Sequence, residues 1–348
     1  MTYRQQNGSG DLIAILQHQE KAQAKKIGIN KIKDLIDWES FRNQLEEILG
    51  YAKREKSKGG RPPFDPVFMF KILILQKYYG LSDDATEEQI EDRASFMGFL
   101  DLKVGDHIPD AKTIWEFRQR LEANGMNGSQ RLFTHFEKNL TAQGIIGREG
   151  SIVDASFVAA PRQRNTREQN EKIKAGERPE GFEQSSAKGK QKDCEARWAV
   201  KNKEVHYGYK NHIKADAKTK LIINYSTTPA NVHDSQEFQS LVDENDQAVL
   251  ADSAYSSEAS EAHLHQCNCE EFLMKKGKRG TPLNETEQQT NKKISRIRVR
   301  VEHIFGHMKQ KGMDYVRSIG LNRAHQHNGL SNLAYNLNRY AFLKTAQA

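Results

Sequence analysis

The hydrophobic periodicity of this chain changes once, at Gly150, and that change limits the folds open to it. Before it, apolar residues recur at helical spacing. Trp38, Phe41, Leu45 and Leu49 mark one helix within Trp38–Ala52. The rigid turn Gly59–Pro66 then leads into an apolar helix that has Pro66 in its first turn and runs to about Tyr79. Asp83 and Asp84 precede a short helix with Ile90, Ala94, Phe96 and Met97 apolar. Asp110 has the character of an N-cap before Ile114, Trp115, Phe117 and Leu121. Leu12–Ile29 is polar and rich in Gln and Lys, which predicts only a weak helix. Residues 1–145 therefore read as a helical domain. Its later helices, with Arg118 and Arg120, fit either a helix-turn-helix-like DNA module or a plain bundle for packing or dimerisation.

Past Gly150 the pattern alternates between short apolar strands and helices. Ser151–Ser156 (SIVDAS) is β-branched and apolar on both sides of an acid, as in a central strand. Glu204–Ala215 and Lys220–Thr228 read as two more strands of an antiparallel meander. A helix follows His233, and Ala248–Leu250 forms a buried strand leading into Asp252. A helix over Ser257–His265 and a strand at Glu271–Met274 come next. Thr281-Pro282 opens a long helix, and Leu330–Leu343 closes the chain as a further one. The expected second domain, residues 146–348, is thus an α/β (α+β) unit with a mixed five-stranded sheet flanked by helices. Residues 161–200 have few large apolar side chains and many Arg, Lys, Glu and Gly, so they predict a basic, flexible insertion. A length of 348 residues suits two domains.

Charge is distributed unevenly. Residues 1–150 carry 22 basic and 22 acidic side chains. Residues 275–311 carry 11 basic side chains against Glu285, Glu287 and Glu302, and residues 161–220 carry 16 against 9. The net +7 therefore sits on the second half, as an electrostatic footprint for a polyanion. The three cysteines lack the pairing of a disulfide framework or a structural zinc site, and Cys267 and Cys269 read as small buried residues. No secretory core opens the chain and Phe68–Leu75 is far too short to span a membrane, so the expectation is a soluble, cytoplasmic protein with no membrane partner.

Within the long helix, Glu302 sits among Arg296, Arg298, Arg300 and Lys309. At about 100° per residue, Ser295, Arg298 and Lys309 share its stripe, while Ile294, Ile297, Val301, Ile304, Phe305 and Met308 form a separate apolar one. A lone acid beside cations suits a metal site next to a phosphate backbone. If the strands carrying Asp154 and leading to Asp252 are neighbours, both carboxylates project at one end of the sheet and this helix can close over them. Three converging carboxylates repel each other unless cations neutralise them, which is the logic of a two-metal phosphoryl-transfer site. Oxygen-only ligands suit Mg²⁺ or Mn²⁺ rather than Zn²⁺. Taken singly, each acid has a plainer reading: a strand-edge ion pair for Asp154, a helix cap for Asp252, and an i,i−4 pair with Arg298 for Glu302.

These stretches resemble the DDE transposases of bacterial insertion sequences, in the insertion-sequence-five branch of the four/five superfamily. The family's third-acid signature is Tyr, two residues, Arg, three residues, Glu, six residues, Lys. Arg298, Glu302 and Lys309 match it, with Ser295 in place of the tyrosine. SIVDAS and VLADSAY resemble the surroundings of its two aspartates. The segment ARWAVKNKEVHYGYKNHIKAD followed by TTPANVHDS, and the leader GGRPPFDPVFMFKILILQKYYGLSD, extend the likeness over most of residues 40–345.

The resemblance implies a ribonuclease-H-like core that cleaves transposon-end DNA and transfers the strand to target DNA. Asp154, Asp252 and Glu302 would hold two ions, with Asp154 shared. It also implies partners: transposon terminal inverted repeats, target DNA and a second copy in a homodimer on DNA. Arg298 and Lys309, with Arg296 and Arg300, would hold the DNA backbone. Trp198 and Lys210, with Tyr207 and Tyr209, would stack on or grip distorted DNA, strand packing being the alternative for the tyrosines.

Other signals are weaker. His303 and His307 have zinc-pair spacing, but the acid precedes the first histidine instead of following it. His233-Asp234 reads as a loop or helix cap. No phosphate-cradling or dinucleotide loop is present, and transesterification needs none. Two competing readings are a catalytically inactive transposon-derived DNA-binding protein and a ribonuclease-H-like nuclease of other purpose.

Overall fold

The computed structural model describes residues 28–51, 62–103, 105–183, 185–277 and 282–347. All but the last two residues of the helix expected over Leu12–Ile29 lie outside them, as do Ala52, the start of the Gly59–Pro66 turn, and Thr281. Two compact units divide the chain, Met1–Arg120 and Leu121–Ala348.

The first unit is helical, with α1 (Asn30–Lys33), α2 (Arg42–Ile48), α3 (Pro66–Tyr79), α4 (Asp83–Asp92), α5 (Ala94–Leu100) and α6 (Ala111–Leu121). Because α3 is apolar all round, it is buried all round, and Phe70, Ile72, Leu73, Ile74 and Leu75 are completely enclosed. The Asp65 carboxylate accepts the first free N–H groups, Pro66 offers none, and left-handed Gly80 closes the helix. Trp38 packs edge-on against Phe70 and Phe99. Arg118 of α6 turns inward, donating to both carboxylate oxygens of Asp83 (2.7 and 2.6 Å) and to Gln76 (3.0 Å). One of the two arginines considered for DNA is therefore used in holding α3, α4 and α6 together, which favours the bundle reading.

The second unit, Leu121–Ala348, takes in α7 (Gly128–Ala142), which the sequence places with the helical domain. Its apolar stripe explains the difference: Phe133 packs on Tyr225 and Phe136 on Tyr340, both in the second unit.

The sheet has six strands, β1 (Ser151–Ala159), β2 (Arg197–Lys201), β3 (Glu204–Asp216), β4 (Ile222–Pro229), β5 (Ala248–Ala251) and β6 (Glu270–Leu273). β4, β3 and β1 lie side by side and antiparallel, and β5 and β6 continue parallel to β1. That is the ribonuclease-H-like arrangement expected of the chain. The sixth strand is β2, which was expected to fall inside a flexible insertion. Asn202 and Lys203 are both left-handed (φ 51° and 66°), as a two-residue type I′ turn requires, and they fold Arg197–Lys201 back on the start of β3. Gly208 lets β3 pass close to β1, because a Cβ there would meet the Val158 carbonyl oxygen at 2.3 Å.

The remainder of the insertion is also built and not loose. α8 (Arg167–Lys174) starts with a Thr166/Gln169 capping box, and Ile173 and Phe182 are buried. The ammonium groups of Lys188 and Lys192 lie over the Phe182 ring. Buried Asp193 accepts from the Tyr209 hydroxyl (2.7 Å) and the Gly320 N–H (3.1 Å), so the segment is pinned to β3 and to the helix that follows. A single aromatic and a single carboxylate do what composition alone could not show.

Four more helices cover the sheet: α9 (Phe238–Leu241), α10 (Glu258–Gln266), α11 (Glu285–Gln310) and α12 (Leu321–Gln347). α12 starts well before Leu330 because part of its core face is polar. Asn328, Asn332 and Asn336, one turn apart, are buried and hydrogen-bond to Thr227, to Asn211 and to the Ile222 backbone at 2.7–3.2 Å. The cysteines are free and half-buried, not fully buried. No described helix is long and apolar enough to cross a membrane.

A buried ionic network fixes the strands that matter most. Lys214, in register with Val153, has no exposed side-chain surface, and its ammonium donates to Asp246 (2.6 Å) and Asp243 (2.9 Å). The Ser151 hydroxyl donates to Asp246 (2.7 Å), and Arg148 bridges Asp243 (3.0 Å) to Glu137 of α7 (2.8 Å). Burial pushes the Asp243 carboxyl up, but the hydrogen bond and charge of Lys214 outweigh it and hold the group well below the usual carboxylate range. A depressed folded-state value stabilises above the unfolded value of about 3.9, and the gain is lost as pH falls through the folded one. Urea unfolding of the full chain should therefore show stability falling progressively below about pH 4. At neutral pH, Lys214→Ala, which strands buried Asp246, should cost about 3–5 kcal/mol in the same measurement.

Candidate active site

Asp154 is the fourth residue of β1, and Asp252 follows β5 directly. The parallel pairing Ser151↔Val249 and Ile152↔Leu250, continued by two residues, sets the two aspartates at the same level on neighbouring strands. Asp252 turns the chain there: its carboxylate accepts from the Ala254 N–H and its carbonyl from the Tyr255 N–H. Asp154 accepts from the Ala155 N–H (2.8 Å) and from Arg298 Nη2 (2.9 Å). Burial raises the Asp154 carboxyl and the neighbouring Asp252 raises it further, while Arg298 and the Ala155 N–H pull against them; the net direction is up. The site thus sets a half-buried acid, already paired with Arg298, beside a second carboxylate.

The structure brings together Asp154, Asp252 and Arg298. Glu302 lies one helical turn beyond Arg298 on the same flank of α11, and it is exposed. Among the described residues no three His, Cys, Asp or Glu side chains gather as a metal-holding group. The aspartate pair fits a hard divalent cation by its oxygen donors and shared level. The third carboxylate stands apart.

The expected DNA contacts sort into three groups. Lys309 and Arg296 are exposed on α11. Lys309 borders a cleft of about 370 Å³ with Phe157, Arg162, Tyr207 and Phe305, and half-exposed Trp198 stands close by, its ring tilted against Tyr207 (4.7 Å) and under Arg162 (5.7 Å). Arg300 points the other way, donating to the Ala217 carbonyl in the β3–β4 turn. Lys210 requires correction: it is buried and donates to Asp234 (2.7 Å) and to the Val232 carbonyl (2.7 Å), so it is not placed to meet a ligand. Tyr207 and Tyr209 are buried, as strand packing requires. His233 caps the turn that starts at Asp234, and His303 meets Lys220, not a metal partner.

Tyr255 was not foreseen. It is fully buried in the cluster that holds Val153, Val249 and Ala251, and its hydroxyl has no hydrogen-bond partner. Burial raises the phenol well above its ordinary value, and the charges of Asp154, Asp234 and Asp252 add to the rise. The signal was its place three residues after Asp252, on the same tight turn. A buried hydroxyl without a partner costs free energy, so Tyr255→Phe should leave the resting protein as stable or about 1 kcal/mol more stable in chemical denaturation. A loss of stability would show that the hydroxyl has a partner.

Two carboxylates on adjacent strand ends of a ribonuclease-H-like sheet, faced by a basic helix, define a phosphoryl-transfer enzyme of the nuclease and transesterase class. The family described as transposase DDE domain matches residues 146–337, and a further transposase domain (DUF772) matches residues 17–120. The chain belongs to the DDE transposase family, whose members bind DNA and are generally dependent on divalent metal. Among solved structures it is similar to the piggyBac transposase synaptic complex with hairpin DNA, seen by cryo-EM. The identity is 12% over 95% of this chain and 75% of that one, with a TM-score of 0.43.

Proposed function

We propose that this chain is the transposase of a bacterial insertion sequence of the insertion-sequence-five branch. On this reading it works in the cytoplasm as a homodimer on the element's terminal inverted repeats. It cleaves the transposon-end strand and joins the freed 3′-hydroxyl to target DNA. The observation that carries the reading is the Asp154–Asp252 pair, level on neighbouring strands, with Arg298 of a basic helix already in contact.

Asp154, Asp252 and Glu302 would hold two Mg²⁺ or Mn²⁺ ions, which when bound supply the charge that activates the attacking oxygen and stabilises the leaving one. Half-buried Asp154 would offer its carboxylate to those ions. Arg298 would present its guanidinium N–H groups to a phosphate in two-pronged fashion. Lys309, on the same flank, holds the backbone further along the strand, and Arg296 adds to the field. Trp198 and Arg162 offer a stacked aromatic and cation at the cleft edge, where an unpaired base would find a π-face. In the first reaction water attacks a phosphodiester, and the break leaves a 3′-hydroxyl and a 5′-phosphate. In the second that hydroxyl attacks a target phosphodiester, one P–O bond forming as another breaks, so no nucleotide energy source is consumed.

A cleavage assay with Mg²⁺ on the element's own ends tests the assignment. Asp154→Asn and Asp252→Asn should each lower cleavage about 10³-fold or more while end binding persists. Asp154→Asn cutting as fast as wild type would sink it. If wild type binds the ends specifically and never cuts, the chain is a transposon-derived DNA-binding protein.

A further inference from the structure

On the opposite flank of α11 from Asp154, cations collect at the tip of the β3–β4 hairpin, Lys218-Thr219-Lys220. The tip is held from every side. Asp216, the acid at its foot, is buried and accepts from the Lys218 and Thr219 N–H groups and the Thr219 hydroxyl. Arg339 of α12 donates to the Thr219 carbonyl (2.7 Å), Tyr335 to the Lys220 carbonyl (2.9 Å), and Arg300 of α11 to the Ala217 carbonyl. The Lys220 ammonium meets His303 Nδ1 at 2.8 Å. Lys218 is exposed and Lys220 partly so.

Three features of the tip point to a ligand. Lys220 is left-handed (φ 61°), and its ammonium is held against His303 on α11. Among the described residues no carboxylate pairs with Lys218, Lys220, Arg300 or Arg339. Burial, and after it the charges of Arg339 and Arg300, push the Lys220 ammonium down, as expected where cations lie together. The adjoining groove of about 780 Å³ is lined by Lys218 and Arg300 of the tip together with Lys293 and Lys344, against Glu149, Asp216 and Glu270.

We propose that this hairpin tip, through Lys218 and Lys220 set by Arg300, Arg339 and His303, is a binding site for the phosphodiester backbone of DNA. The long cations of a turn, Lys218 exposed and Lys220 partly so, reach successive phosphates of a polymer. Because the contacts are to phosphate, they add affinity and register without reading sequence. The inference rests on the DNA reading above and adds to it a second contact, on the far flank of α11. That helix is about 10–12 Å across with its side chains.

The test is fluorescence-anisotropy binding of the full chain to a labelled terminal-repeat duplex and to a scrambled duplex of equal length. EDTA is present so that no cleavage intervenes, and salt is varied. Each phosphate contact contributes about 0.9 to the slope of log affinity against log salt, so K218Q/K220Q should reduce the slope by nearly two on both duplexes. K218R/K220R should restore it, and K138Q, an exposed lysine of α7, should leave it unchanged. An unchanged slope in K218Q/K220Q, or a loss that the arginine pair does not restore, overturns the proposal. Cleavage by Asp154→Asn is scored separately, so either reading can fail without the other.

Discussion

An ammonium group with no access to water governs this fold. Lys214 is enclosed within β3, where an uncompensated charge would cost several kcal/mol, and Asp246 and Asp243 supply the compensation from the loop just before β5. Ser151, at the start of β1, binds the same Asp246 carboxylate. Three strands are therefore tied at one level. A one-residue slip of β3 would turn Lys214 to the opposite face and strand its partners. Asp154 lies three residues beyond Ser151, and Asp252 lies just past the strand that follows Asp246, so the level they share is inherited from this rung.

The helix laid over that end of the sheet divides the surface in two. Ile294, Val301, Ile304 and Met308 form its buried face. Arg298, Glu302, Phe305 and Lys309 line one flank, toward Asp154, and Arg296, Arg300 and His303 line the other, toward the β3–β4 turn. Its far end is tied down as well, because the segment after it pairs with the end of β1, where the Ala159 N–H meets the Asp314 carbonyl and the Val316 N–H meets that of Ala159. Arg298 and Glu302 on one flank and Arg300 on the other are positioned by the same helix.

Much of this was legible in the sequence. An acid amid β-branched residues, an acid just past a short buried strand, and the spacing of Arg298, Glu302 and Lys309 located the site residues on their elements. What escaped was tertiary. Nothing in the helical spacing says whether Arg298 faces solvent or Asp154, or that Glu302 stands off from the pair. Lys210 was misread although a clue was present: with His212 and Lys214 it repeats at a period of two, the mark of one strand face, and all three are buried. Burial pushes His212 down to about 4, and it bonds Thr228 as a neutral ring. β2 was hidden because its partner strand is adjacent in sequence and its turn uses Asn202-Lys203 without a glycine. The insertion looked disordered because its small core rests on few apolar side chains, chiefly Ile173 and Phe182.

The asparagine ladder of α12 carries a consequence of its own. A greasy interface tolerates sliding, since one methyl group replaces another at little loss. Asn328, Asn332 and Asn336 instead engage the sheet tooth by tooth, and axial creep by less than a full turn would leave several amide and carbonyl groups dry and unanswered. α12 is thereby indexed like a rack on a pinion. From that fixed rail, Tyr335 and Arg339 hold the hairpin tip on the α12 side.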